Sequence, residues 1–129
     1  MDRQDLRSPL GRAIGLGSAK EGGGQWWAER ASAVALIPLA LWFAASLIVH
    51  SGGGYVAFSG WVRTPLATIL MILLLIALFQ HTALGLQVVI EDYMHTGARF
   101  AAVMAVRLGC VALAAAGIVA TLHIAFSGG

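Results

Sequence analysis

The chain has 129 residues and a formal charge of +2; 59% of its residues are hydrophobic and only 11% are charged, far below the ~25% charged residues of a typical soluble domain. With a mean hydropathy of +0.83, this composition excludes a soluble globular protein and specifies an integral membrane protein. At roughly 20 residues per span, three spans fit and no soluble catalytic domain does, so any chemistry lies within the membrane or is supplied by partners.

The first stretch, Met1 to Gly24, is polar, glycine-rich and mixed in charge. It has neither an apolar core nor a cleavage site, and Asp2, Asp5 and Glu21 sit among its basic residues, so neither a secretory signal nor a mitochondrial transit peptide is expected. The expected organisation is a partly extended cytoplasmic arm over 1–26 and an all-α, three-helix transmembrane domain over 27–129. Trp26 and Trp27 read as an aromatic belt at the membrane surface.

The first apolar segment runs from about Ala31 to Val49 and contains Pro38, which a membrane helix tolerates where neighbours or a kink satisfy the freed carbonyl. Ser51-Gly-Gly-Gly54 is a turn signal. Tyr55, Phe58 and Trp61 after it suggest a short interfacial segment. The second apolar segment runs from about Pro65 to Ile90, with Pro65 near the first helical position and Thr64 as its cap. A short link from about Met94 to Ala98 joins it to a third, from about Phe100 to Phe126, making the last two helices an antiparallel hairpin. Each segment has at least 18 residues, enough to span. Cys110 has no partner in the sequence for a disulfide or a cysteine-based metal site and reads as a small buried apolar residue.

The basic residues are placed unevenly. Arg3, Arg7, Arg12, Lys20 and Arg30 precede or open the first span, Arg63 alone lies in the first link, and Arg99 follows the second link. The positive-inside rule places the N-terminus and the Met94–Ala98 link in the cytoplasm. Asp92 and Tyr93 then lie at the cytoplasmic surface. His81 lies twelve residues before Tyr93, or ~18 Å of helix rise, near the centre of a ~30 Å hydrocarbon core.

An ionisable side chain at that depth is expensive and marks a functional site. Gly85, one turn from His81 on the same face, leaves room for something flat beside the imidazole. Asp92 falls about 20° from His81 around the helix, and Tyr93 roughly 120° round at its mouth. The pattern suggests a haem ligand at mid-membrane, neutral imidazole being a good iron ligand, with a polar, quinone-handling end at the surface. Each reading has a plainer one beside it. His81 can hydrogen-bond across a helix interface, and Asp92 and Tyr93 can be interfacial residues. Arg30 is either a positive-inside anchor or a contact for a haem propionate or the quinone site. Arg107, about eight residues or ~12 Å into the third helix, either snorkels or pairs with a buried anion. His50 and His123 read as interfacial at the far side, and His95 as solvated or touching a soluble partner. With one central histidine, a bis-histidine haem needs its second ligand from another chain.

His81-x-x-x-Gly85 followed by Asp92-Tyr93, together with Arg30-Ala-Ser-Ala before an apolar run, resembles the small hydrophobic anchor subunit of succinate dehydrogenase, respiratory complex II. The resemblance covers about Trp27 to Phe126 and leaves out the arm and Arg107. It implies that His81 is one axial ligand of haem b, the other coming from a companion cytochrome b subunit. Tyr93 would contact ubiquinone and Asp92 would support that site. The implied partners are the cytochrome b, iron–sulfur and flavoprotein subunits in a bacterial inner membrane, with lipid around them and no nucleic acid. Succinate oxidation needs flavin and iron–sulfur chemistry, and the chain has no motif for either, so it is expected to be a non-catalytic, multi-pass subunit serving electron transport. A quinol:fumarate reductase anchor and a non-redox membrane scaffold are the alternative readings.

The expected topology is tested by single cysteines at Ser8 and Ser127 with a membrane-impermeant reagent on intact cells. Ser127→Cys is expected to label and Ser8→Cys to stay unlabelled; the opposite pattern reverses the orientation.

Overall fold

Lipid offers the backbone no hydrogen bonds, so a spanning segment must satisfy its own amides, and the helix is the structure that does so within one segment. The computed structural model describes residues 19–127 and has no strand among them. Four helices follow in order: α1 (Ala19–His50), α2 (Gly54–Val62), α3 (Pro65–Tyr93) and α4 (Gly97–Phe126), with a 3₁₀ turn, Ser51–Gly53, between the first two. The run Gly23–Val62 and the helices Pro65–Tyr93 and Gly97–Phe126 are each long and apolar enough to cross a membrane.

α1 starts at Ala19, well ahead of its apolar stretch; the part of the expected arm before that lies outside the described residues. At 32 residues α1 is ~48 Å long, more than a ~30 Å hydrocarbon core needs. The helix continues through Pro38. Gly54 has φ +62°, a value a residue with a Cβ rarely adopts, and it turns the chain from α1 into α2. Pro65 opens α3 as expected. Thr64 sits at the cap position with no side-chain cap bond; its hydroxyl instead donates back to the Trp61 carbonyl at 2.8 Å, serving the end of α2.

The three long helices form a layer, not a triangle. α3 packs against both α1 and α4, whereas the backbones of α1 and α4 do not approach each other. Gly117 of α4 lets the α3–α4 pair close up, since a Cβ there would meet the Leu75 side chain at 3.1 Å; small residues serve this purpose where membrane helices approach.

The best-packed region lies at the Trp61 end of the layer. Val62 is 2% exposed and clusters with Met71 and Leu74, while Leu36, Phe43, Phe58, Trp61 and Ile124 pack around them. The segment expected to lie along the interface is therefore split: Tyr55 is exposed, but Phe58 and Trp61 turn inward. The Trp61 ring lies 5.5 Å from Trp42, 5.5 Å from Phe58 and 5.2 Å from His50, on which it stacks. Arg63 closes this end, donating from Nε to the Ile124 carbonyl at 3.3 Å and from Nη2 to the Ser127 carbonyl at 2.8 Å. A cation there meets the negative end of the α4 dipole. No buried side-chain nitrogen or oxygen among the described residues lacks a hydrogen-bond partner.

Candidate functional site

α3 places His81 at mid-span on the side that meets α1. The imidazole is half-buried, and its Nδ1 lies 3.2 Å from Ser32 Oγ on α1. Ser32 is 7% exposed, and its hydroxyl also reaches back one turn to the Glu29 carbonyl at 2.9 Å. The other ring nitrogen, Nε2, makes no hydrogen bond among the described residues. A Cβ added to Gly85, one turn along, would meet nothing within 4 Å, so the face beside the imidazole is open. A half-buried ring with one nitrogen engaged and the other free, beside an open face, suits a planar group bound through Nε2. Among the described residues no three His, Cys, Asp or Glu side chains gather to hold a bare metal ion, so an iron held here would need its remaining ligands from a macrocycle and from another chain.

The expected site residues are not brought into one place. Asp92 and Tyr93 end α3, and Tyr93 is 82% exposed. Twelve residues of helix, ~18 Å of rise, separate it from His81. Arg30 lies on α1 two residues before Ser32, ~3 Å of helix rise from the His81 contact, with its guanidinium carbon 5.0 Å from the centre of the Trp26 ring. The contact is a cation–π interaction. Trp26 thus has a partner within the chain beyond its expected role as a belt residue.

Arg107 has a neutral partner in place of the buried anion considered from the sequence. Its Nε and Nη2 donate to Gln87 Oε1 at 3.1 and 2.6 Å, and Gln87 Nε2 donates to Glu91 Oε1 at 2.8 Å. Gln87, 8% exposed, thereby passes a hydrogen bond from the α4 guanidinium to an α3 carboxylate one turn nearer the Tyr93 end. α4 begins at Gly97, so Arg107 sits ~15 Å from its start. Beside Arg107 the α3–α4 seam opens into a groove of about 520 Å³, lined among others by Phe79, Gln80, Ala83, Cys110 and Ala114. His81 belongs to the other seam and does not line it. Sequence reasoning missed Ser32, Gln87 and Glu91 as partners. The i, i+4 pair Gln87 and Glu91 at the polar end of a span was a readable signal; for Ser32 there was none beyond its place in the Arg30-Ala-Ser-Ala motif.

These features define a polytopic membrane protein with a half-buried imidazole on one seam and a polar tie on the other. The chain belongs to the succinate dehydrogenase/fumarate reductase transmembrane subunit family, whose model matches residues 4–124. It is 29% identical over 120 residues to the succinate dehydrogenase hydrophobic membrane anchor subunit of Rickettsia bellii, covering 92% of this chain and 96% of that one. It is 24% identical over 121 residues to the protein of the same name from Rickettsia conorii, again covering 92% and 96%. No solved structure matches. The chain is thus a multi-pass membrane anchor.

The tie between Gln87 and Arg107 is open to a double-mutant cycle. Gln87→Leu and Arg107→Met should each lower the resistance of the assembled complex to SDS. The double variant should lose less than the sum, with a coupling of about 0.6–1.7 kcal/mol. Zero coupling would make the contact incidental.

Proposed function

We propose that the chain is the hydrophobic anchor subunit of a succinate:ubiquinone oxidoreductase of a bacterial inner membrane, with its N-terminus in the cytoplasm. It supplies His81 as one axial ligand of a haem b shared with a companion cytochrome b subunit. Tyr93, supported by Asp92, contacts ubiquinone at the end of α3, where the iron–sulfur and flavoprotein subunits dock. The observation that carries the reading is the single mid-span imidazole with a free Nε2 beside the open face at Gly85, in a chain that belongs to this family. Haem held there would supply one-electron transfer.

The chain's own groups divide the work. His81 has Nδ1 engaged by Ser32 on α1, which leaves Nε2 for the haem iron. The exposed Tyr93 hydroxyl is free to donate a hydrogen bond to a quinone carbonyl. The Arg30 guanidinium, 5.0 Å from the Trp26 ring centre, would contact a propionate or the quinone site. Asp92 is suited to proton delivery at the quinone, being exposed beside Tyr93.

In the purified complex, His81→Ala should abolish or strongly weaken the b-type signal in a reduced-minus-oxidised optical spectrum; an unchanged spectrum and haem stoichiometry would falsify ligation. Tyr93→Phe keeps the ring and removes one hydrogen bond. It should slow quinone reduction roughly 3- to 30-fold, while leaving succinate–dye reduction and haem content near wild type. If quinone and dye activities fall together, Tyr93 serves docking of the soluble subunits instead.

A further inference from the structure

A histidine that ligates through one nitrogen has its orientation and donor strength set by what the other nitrogen touches. For His81 that group is a hydroxyl, Ser32 Oγ, at 3.2 Å from Nδ1. A serine hydroxyl has a single proton and two lone pairs. Here the oxygen has two neighbours, Nδ1 of His81 and the carbonyl of Glu29 at 2.9 Å. The carbonyl can only accept, so it takes the hydroxyl proton, and the oxygen is left to accept from Nδ1–H. That assignment puts the one proton of a neutral imidazole on Nδ1 and leaves the Nε2 lone pair for a metal. The opposite assignment, with the hydroxyl donating to Nδ1, would protonate Nε2 and block it. Ser32 is buried at the α1–α3 seam, so water does not compete for either bond.

We infer that Ser32 is a positioning residue for the haem: anchored by the Glu29 carbonyl, it accepts the His81 Nδ1–H, and so fixes the ring's tautomer and rotation and strengthens Nε2 as a donor. The inference rests on the ligation proposed above and adds to it. A ligand whose N–H is hydrogen-bonded donates more charge to iron and favours the ferric state, so losing the acceptor favours the ferrous state. The iron potential therefore rises when Ser32 Oγ is removed. The bond also links α1 to the cofactor, although α1 supplies no ligand of its own.

The test is a redox titration of haem b in the purified four-subunit complex, comparing wild type with Ser32→Ala, Ser32→Thr, Ser32→Cys and His81→Ala. Ser32→Ala should raise the midpoint potential and make haem easier to lose on detergent washing, by the 10- to 100-fold common for removal of such a partner. If the loss is borne by the ferric state, each tenfold is about 59 mV for a one-electron couple. Ser32→Thr keeps a hydroxyl that can still bond back to the preceding turn and should restore the wild-type potential. Ser32→Cys preserves the shape with a weaker acceptor and should move the potential in the same direction as alanine, which keeps the test decisive if the alanine variant does not assemble. Succinate–dye reduction should be unchanged in all three Ser32 variants. A wild-type potential in Ser32→Ala or Ser32→Cys, or a threonine variant that behaves like alanine, overturns the role of Ser32. Retention of haem in His81→Ala overturns the ligation itself, so the two failures are told apart.

Discussion

Among the described residues α3 is the one long helix whose backbone packs on both of the others, and in the bilayer a polar side chain has no water to turn to. The polar contacts between the long helices therefore gather on the two seams of α3. On one, His81 meets Ser32; on the other, Gln87 meets Arg107. The imidazole, amide and guanidinium are held in place because each has another helix to bond to. Without α3, Arg107 on α4 would lose its amide partner and Ser32 on α1 its imidazole.

The layered arrangement also explains how little of the molecule is buried. Ile37, Leu41, Ile48, Leu66, Val111 and Val119 are large, apolar and exposed. In water this would be an aggregation hazard; for a subunit surrounded by lipid and by other subunits it is the normal state of a surface still to be covered. The internal packing that fixes the layer is concentrated at the Trp61 end, where four aromatic contacts converge on one indole. The end that carries Asp92 and Tyr93 lies away from this cluster, with both side chains exposed.

Much of this was legible in the sequence. The apolar runs are long enough that only membrane helices accommodate them, and Pro65 and the glycine run after Ser51 mark real boundaries. His81 stood out because nothing else ionisable lies at its depth on α3. What was not legible is which side of a helix meets which neighbour. An apolar span has hydrophobic residues all round, so periodicity does not show a face, and the inward turn of Phe58 and Trp61 could not be read from composition. For the same reason Ser32 looked like any small residue at the head of a span. Its importance comes from a residue 49 positions away, and only the packing of α1 on α3 brings the two together. The choice of Gln87 as the partner for Arg107, over an anion, is likewise a fact of rotamer and register. The start of α1 at Ala19, within a glycine-containing stretch of poor helix propensity, shows an apolar span carrying helical structure beyond its own limits.

The clasp at Arg63 bears on how the chain is made. Arg63 lies between the first and second spans, yet the carbonyls that receive its guanidinium belong to Ile124 and Ser127, which are synthesised some sixty residues later. While the ribosome is still producing α4, the link before Pro65 holds a cation with no counterpart, and the aromatic cluster beside it lacks Ile124. Arrival of the last helical turn supplies both at once. Completion of α4 therefore adds the last contacts at this end of a pair of spans that already pack on each other.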